Sequence, residues 1–266
     1  MATTIVIANR KGGSGKTTTS VNMAAGLAKR GRRVLVVDVD SQAQATTSCG
    51  IIPAQQTISV YELLQGVAAG QSMSTGLRKT IIKNGHPFDL LPSRADLSAL
   101  EIEVSHHDNA QFLLRDLLLI VDNDYDYILI DSAPSLGLIT VNSLVAAQQL
   151  IIPVEANFLS MDGLAQMIQI LYRINLELNP DLRLLGIVPV KCDLRTNLAR
   201  SVLDEIKKNF GADKLLPPVR NDIKLAEAPS FGQTISEYAP ACRGAKDYDA
   251  LSAAVLRKGG DNHGGK

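Results

Sequence analysis

The sequence predicts an α/β fold, a doubly wound and mostly parallel sheet flanked by helices. Three observations carry that prediction. A β-branched run, Ile5 to Ile7, enters a glycine-rich turn that opens straight into a helix-compatible segment from Thr17. Later strand candidates, such as Tyr127–Ile130 and Gln149–Val154, are apolar without alternation, as strands covered on both faces are. Helical patterns lie between them, and strands alternating with helices make parallel βαβ units. Ligands of such folds sit at the carboxyl ends of the strands.

Taken in order, Ile5–Ala8 is the first strand and Thr18–Arg30 the first helix, closed by Gly31. Val34–Val37 is a second strand, 58–66 a short helix, and Phe88–Leu91 a strand stopped by Pro92. Asp96–Val104 and Ala110–Val121 read as helices ahead of the Tyr127–Ile130 strand. After Gln149–Val154, apolar residues at spacings of three and four make Met161–Leu178 a long amphipathic helix, ended by Asn179-Pro180. Leu184–Val190 is a strand, and Asn197–Phe210 and Arg243–Leu256 are helices. This gives one domain over residues 1–258 and a Gly-rich polar tail, 259–266, expected to be disordered.

Composition narrows the class without naming a partner. The 266 residues are 45% hydrophobic and 20% charged, with 27 Lys+Arg against 27 Asp+Glu. Residues 191–258 hold 12 basic against 9 acidic residues, too small an excess to argue nucleic acid. Cys49, Cys192 and Cys242 are scattered and lack C-x-x-C spacing, which suits a reducing cytosol and opposes a disulfide framework or structural zinc. No apolar run approaches the roughly 20 residues of a membrane span, and no signal peptide is expected.

The chemistry concentrates in Lys11-Gly12-Gly13-Ser14-Gly15-Lys16-Thr17-Thr18. Glycines let the backbone approach a polyphosphate and turn its N–H groups inward, and the following helix offers its positive end to the same anion. Lys16 is placed to reach the β- and γ-phosphates, and the Thr17 hydroxyl to ligate Mg²⁺. Two strand ends add carboxylates. Tyr127–Ile130 runs into Asp131, the Walker B arrangement in which one carboxylate holds Mg²⁺ or its water. Val34–Val37 runs into Asp38-Val39-Asp40, and these two acids are expected to point opposite ways. The residues alone leave open whether Asp40 acts on a water or merely ends the strand.

The extra lysine at the mouth of the loop, Lys11, resembles the deviant Walker A loop of the ParA/MinD family of ATPases. The resemblance extends to Asp38–Gln42 followed by Ala45-Thr46, to Asp131 through Gly137, and to Glu227-Ala228-Pro229-Ser230-Phe231-Gly232. With similar spacing over nearly all of residues 3–256, the chain is similar to the small partition ATPases of the ParA family. The resemblance implies an ATP- and Mg²⁺-dependent ATPase that forms a homodimer when ATP is bound. Lys11 then touches the partner's nucleotide, and Asp40 serves the attacking water as base or orienter. Asn221 and Asp222, after Arg220, match the family segment lining the adenine.

It implies too that the dimer binds DNA without sequence preference. Arg195, in Asp193-Leu194-Arg195-Thr196-Asn197-Leu198, would contact phosphates, as would Lys224 where the family carries an arginine. A ParB-like adaptor would stimulate hydrolysis, and a cytoplasmic, nucleoid-associated location follows. A MinD-type membrane ATPase is disfavoured because the chain ends Val255-Leu256-Arg257-Lys258 and then glycines, short of an amphipathic anchor. The cysteine spacing does not suit an iron–sulfur relative, and no tyrosine cluster follows Tyr248 to suit a tyrosine autokinase. A nucleotide-sensing module without useful turnover stays open.

Overall fold

A computed structural model of the chain describes residues 1–83, 85–157 and 160–261. Six strands form one sheet: β1 Thr3–Ile7, β2 Val34–Val39, β3 Asp89–Leu91, β4 Tyr127–Ser132, β5 Gln149–Glu155 and β6 Arg183–Val190. Their order is β3-β2-β4-β1-β5-β6, and every pairing is parallel. From β1 the chain builds outward to β2 and β3, inserts β4 beside β1, and then crosses to β5 and β6. The loop after β1 therefore lies where the winding reverses, the place at which such sheets open a crevice.

Apolar runs without alternation arise because both faces are covered. Ile5, Ile7, Val34, Val36 and Leu129 face one buried layer with Val21, Met23 and Leu27 of α1 (Lys16–Ala28). The C-terminal helix completes this layer with Tyr248, Leu251 and Val255. Val6, Leu35, Val37, Ile128 and Ile130 face the opposite layer, covered by α3 (Val60–Ala68), α6 (Leu113–Leu119), α7 (Leu138–Ala146) and α8 (Ser160–Glu177). Between these lie α2 (Gln44–Ser48), α4 (Ser74–Thr80) and α5 (Leu100–Glu103). The remaining helices are α9 (Asn197–Phe210), α10 (Lys224–Glu227), α11 (Ile235–Tyr238) and α12 (Arg243–Asp261).

Departures from the expected elements are local. Helix α1 begins at Lys16 rather than Thr18, because its first turn is the end of the glycine loop itself. It ends at Ala28, and the left-handed Gly31 (φ 78°) turns the chain toward β2. The expected 96–104 helix divides into a 3₁₀ segment, Ala95–Ala99, and the single turn of α5. Helix α12 runs to Asp261 rather than ending at Leu256, and residues 262–266 of the expected tail lie outside the described residues. Among the described residues no helix is long and apolar enough to cross a membrane.

Candidate functional site

At the carboxyl edge of the sheet, the loop from β1 to α1 is held from below. Asn9 donates from Nδ2 to the Pro153 carbonyl at 2.7 Å, and its Oδ1 accepts from the Lys11 N–H at 3.0 Å. Gly13 and Gly15 are left-handed (φ 70° and 84°), which turns the backbone into a concave nest that a side-chain-bearing residue would enter only at a cost. Among the described residues no side chain caps the N-terminus of α1, and no acid lies in its first turn. The positive end of a thirteen-residue helix is thus left for something outside the protein.

Two further groups point to an anion. Lys16 is 7% exposed, and no carboxylate lies within 4 Å of its ammonium among the described residues. Burial lowers its pKa, an effect opposed by the field of Asp131 and then Asp40, so both acids lie near enough to act on it. The buried Ser14 hydroxyl has no hydrogen-bond partner among the described residues. A buried, unpaired cation and an orphaned hydroxyl inside an N–H-lined nest are what a polyphosphate would complete.

Asp131 is the penultimate residue of β4, beside this loop. Its carboxylate accepts from Thr17 Oγ1 at 2.7 Å and from Ser20 Oγ at 2.9 Å. The β2–β4 register sets Asp38 directly opposite Asp131, and both are fully buried. Burial raises both pKa values; the charge of Asp38 on the neighbouring strand adds to the rise at Asp131, and that of Asp40 adds to the rise at Asp38. The hydroxyl of Thr17 and the carboxylate of Asp131 make a hard-oxygen donor pair suited to Mg²⁺. No group of three or more His, Cys, Asp or Glu able to cage a metal occurs among the described residues, so phosphate oxygens and water would supply the other ligands.

Asp38 and Asp40 do serve different ends, but not because they lie on opposite sides of a strand. Residues two apart on a continuing strand share a face. Strand β2 stops at Val39, and the chain turns at Asp40, whose carbonyl accepts from Ala43 N–H while its Oδ1 accepts from Gln42 N–H. Ala43 takes a left-handed conformation (φ 49°) to close this turn. Asp38 stays in the strand and is spent on structure: Oδ2 accepts from the N–H and hydroxyl of Thr46, both at 2.8 Å, and Oδ1 from Asp40 N–H. Asp40 is 8% exposed, and its charge is near enough to Lys16 to raise that ammonium's pKa.

A cavity of about 140 Å³ adjoins Gly15 and Thr18 and is walled by Val190, Val219, Leu225 and Asn221. It is a largely apolar slot of the kind a purine base enters. Asp222 lies in its wall, where Oδ1 accepts from Lys224 N–H and Oδ2 from Gly244 N–H, so it also shapes the turn. Asn221 is an exposed polar residue of the same wall. Arg195 and Lys224, the latter opening α10, follow two segments that are bridged at Cys192 and Arg220. Each is held by its own carboxylate: Arg195 by Asp193 at 2.7 and 2.8 Å, and Lys224 by Glu227 at 2.8 Å.

Lys11 is turned onto a carboxylate of its own subunit. Its Nζ lies 2.9 Å from Glu155, which also binds Lys191 at 2.6 Å. Sequence reasoning missed both Glu155 and Lys191.

Comparison with known proteins decides among the nucleotide-binding families that share such an edge. Residues 2–184 match a family described as an AAA domain. The sporulation initiation inhibitor protein Soj of Bacillus subtilis is 38% identical over 97% of this chain and 100% of its own length. The chromosome partitioning protein ParA of Myxococcus xanthus is 37% identical over 96% of this chain and 88% of its own. The chain belongs to the ParA family of partition ATPases. Among solved structures, cobyrinic acid a,c-diamide synthase from Mycobacterium smegmatis, with bound ADP and magnesium, superposes with a TM-score of 0.84 at 30% identity. That match covers 98% of this chain and 97% of the other.

Proposed function

We propose that this partition ATPase binds ATP with Mg²⁺, pairs with a second copy of itself in that state, and holds DNA without sequence preference until hydrolysis releases it. The observation that carries this reading is the buried ammonium of Lys16, unpaired among the described residues in an uncapped helix mouth, with Thr17 and Asp131 beside it. A bound Mg²⁺ would neutralise charge on the β- and γ-phosphates. For its part the chain cradles the phosphates with Gly12, Gly13, Ser14 and Gly15, neutralises them with Lys16, and keeps the base against Thr18 and Asn221. Asp40, held by Gln42 N–H, takes a proton from the attacking water or orients it. Lys11 enters the partner's nucleotide site, and a ParB-like adaptor accelerates a slow basal turnover.

Three variants test the assignment. Lys16→Ala should lose nucleotide binding, read by fluorescent-nucleotide titration. Asp40→Ala should bind ATP as the parent does and stall in the paired state, with phosphate release lost. Lys11→Ala should bind ATP yet remain monomeric by light scattering with a non-hydrolysable analogue. Hydrolysis by Asp40→Ala at the parental rate would remove Asp40 from the reaction. Single-turnover phosphate release absent from a parent protein that still dimerises would leave a nucleotide-switched binding module.

A further inference from the structure

Where β5 ends, Glu155 binds two lysines at once. Lys11 Nζ donates to Oε2 at 2.9 Å, and Lys191 Nζ donates to Oε1 at 2.6 Å. Lys191 also donates to the Gly13 carbonyl at 2.9 Å, so one ammonium touches both the phosphate loop and the carboxylate that holds Lys11. The β5–β6 register makes this possible by pairing Glu155 with Val190, the last residue of β6. Lys191 follows in a left-handed conformation (φ 49°) that costs a non-glycine residue energy, which the two hydrogen bonds of its ammonium help to offset. Asn157 Nδ2 fixes Glu155 Oε2 further at 3.0 Å. The carboxylate is only 18% exposed, and its hydrogen bonds to Lys191 and then Lys11 hold its pKa down to about 2.

We propose that Glu155 parks Lys11 inside its own subunit, and that Lys191 makes the parking reversible. The inference rests on the reading that Lys11 enters the partner's nucleotide site, and it adds the group that Lys11 must leave to get there. A lysine 2.9 Å from Glu155 is not available to a second subunit. Pulling a sole cation from a largely buried carboxylate leaves an uncompensated charge, which is costly. Pulling one of two cations leaves a formed ion pair, which is cheap. Lys191 is that second cation, and its bond to Gly13 keeps it at the loop whether Lys11 is docked or gone. Glu155 and Lys191 are thus positioning residues for Lys11, and they set how tightly the ATP-bound subunits pair.

The test measures the dimer dissociation constant of the full chain by sedimentation, at saturating non-hydrolysable ATP analogue. Glu155→Gln keeps the side-chain length and an acceptor but removes the parking charge. It should tighten the dimer by roughly two- to five-fold per released lysine, the range of an exposed ion pair, hence about four- to 25-fold for two subunits. Lys191→Met leaves Glu155 with Lys11 alone and should weaken the dimer. In the Glu155→Gln background the Lys191→Met penalty should vanish, because no charge remains to be stranded. A purely structural role for the cluster would weaken the dimer in both single variants. The proposal falls if Glu155→Gln pairs no more tightly than the parent, or if the Lys191→Met penalty persists in the double variant. Lys11→Ala separates the two levels. If it dimerises like the parent, the cross-subunit role of Lys11 falls and the parking proposal with it. If it fails to dimerise while Glu155→Gln is unchanged, parking alone falls.

Discussion

Two carboxylates side by side on neighbouring strands, Asp38 and Asp131, are unfavourable until a cation arrives. Asp38 is compensated by three hydrogen bonds from Thr46 and the Asp40 backbone; Asp131 has two hydroxyls, and the ammonium of Lys16 lies near it. Burial raises the pKa of both, so each ionises at a higher pH folded than unfolded. The cost to stability is therefore absent below the ordinary carboxylate range and grows as pH rises toward neutrality. Asp131→Asn should accordingly stabilise the metal-free protein at pH 7, by roughly 1–3 kcal/mol, with the gain fading toward about pH 4. It should also lose the further stabilisation that Mg²⁺ and nucleotide give the parent. Urea unfolding at the two pH values checks both; an Asp131→Asn protein less stable than the parent at pH 7 would show that the carboxylate is not strained. Asp131 was legible in the sequence because its signal is local, a hydrophobic strand ending in one acid. Glu155 and Lys191 were not, because an acid and a lysine 36 positions apart become neighbours only through the register of β5 and β6.

Among the elements, the strands, the long helices and the short helix near 58–66 followed from apolar runs and periodicity, whereas α2, α4, α7, α10 and α11 did not. Helix α7 carries Ile139, Thr140, Val141 and Val145, residues whose intrinsic preference favours strand. Tertiary bonds override that preference: Asn142 Nδ2 donates to Ala110 O, and its Oδ1 accepts from Leu114 N–H. The contact of α1 with α12 was equally hidden. A Cβ placed on Gly26 of α1 would lie 2.8 Å from the Cβ of Ser252, so glycine is what lets α12 lie against the helix that carries the phosphate loop. The Ser252 hydroxyl bonds Tyr248 O, and the Tyr248 hydroxyl lies 3.3 Å from Thr19 Oγ1. Gly26→Val should force these helices apart and cost about 1–3 kcal/mol, seen as a lower urea midpoint at unchanged slope. Nucleotide affinity should fall with it, because α1 positions Lys16 and Thr17. Adding Ser252→Gly should restore much of both losses, and failure to do so would place the strain elsewhere.

For the whole molecule, charge is balanced, so the DNA binding proposed here would have to come from arrangement rather than from excess. A single subunit offers little. Arg195, with an 89% exposed side chain, is closed onto Asp193, and Lys224 lies between Glu227 and the ring of Tyr238. Such surface pairs are worth only about 0–1 kcal/mol, so a phosphate can displace either carboxylate, but one subunit gains few contacts for doing so. Each phosphate neutralised contributes about 0.9 to the slope of log affinity against log salt, so joining two patches in one dimer doubles the slope and raises affinity steeply. ATP would then control DNA binding by controlling pairing alone. We expect retention of unrelated duplexes with a non-hydrolysable ATP analogue and little with ADP. Arg195→Glu and Lys224→Glu should weaken it without loss of dimerisation. Glu227→Gln, which frees Lys224 from its own subunit, should strengthen it. Shift assays at two salt concentrations measure the slope directly. Equal binding in both nucleotide states, or no effect of Glu227→Gln, would mean that DNA is held by some surface other than this edge of the sheet.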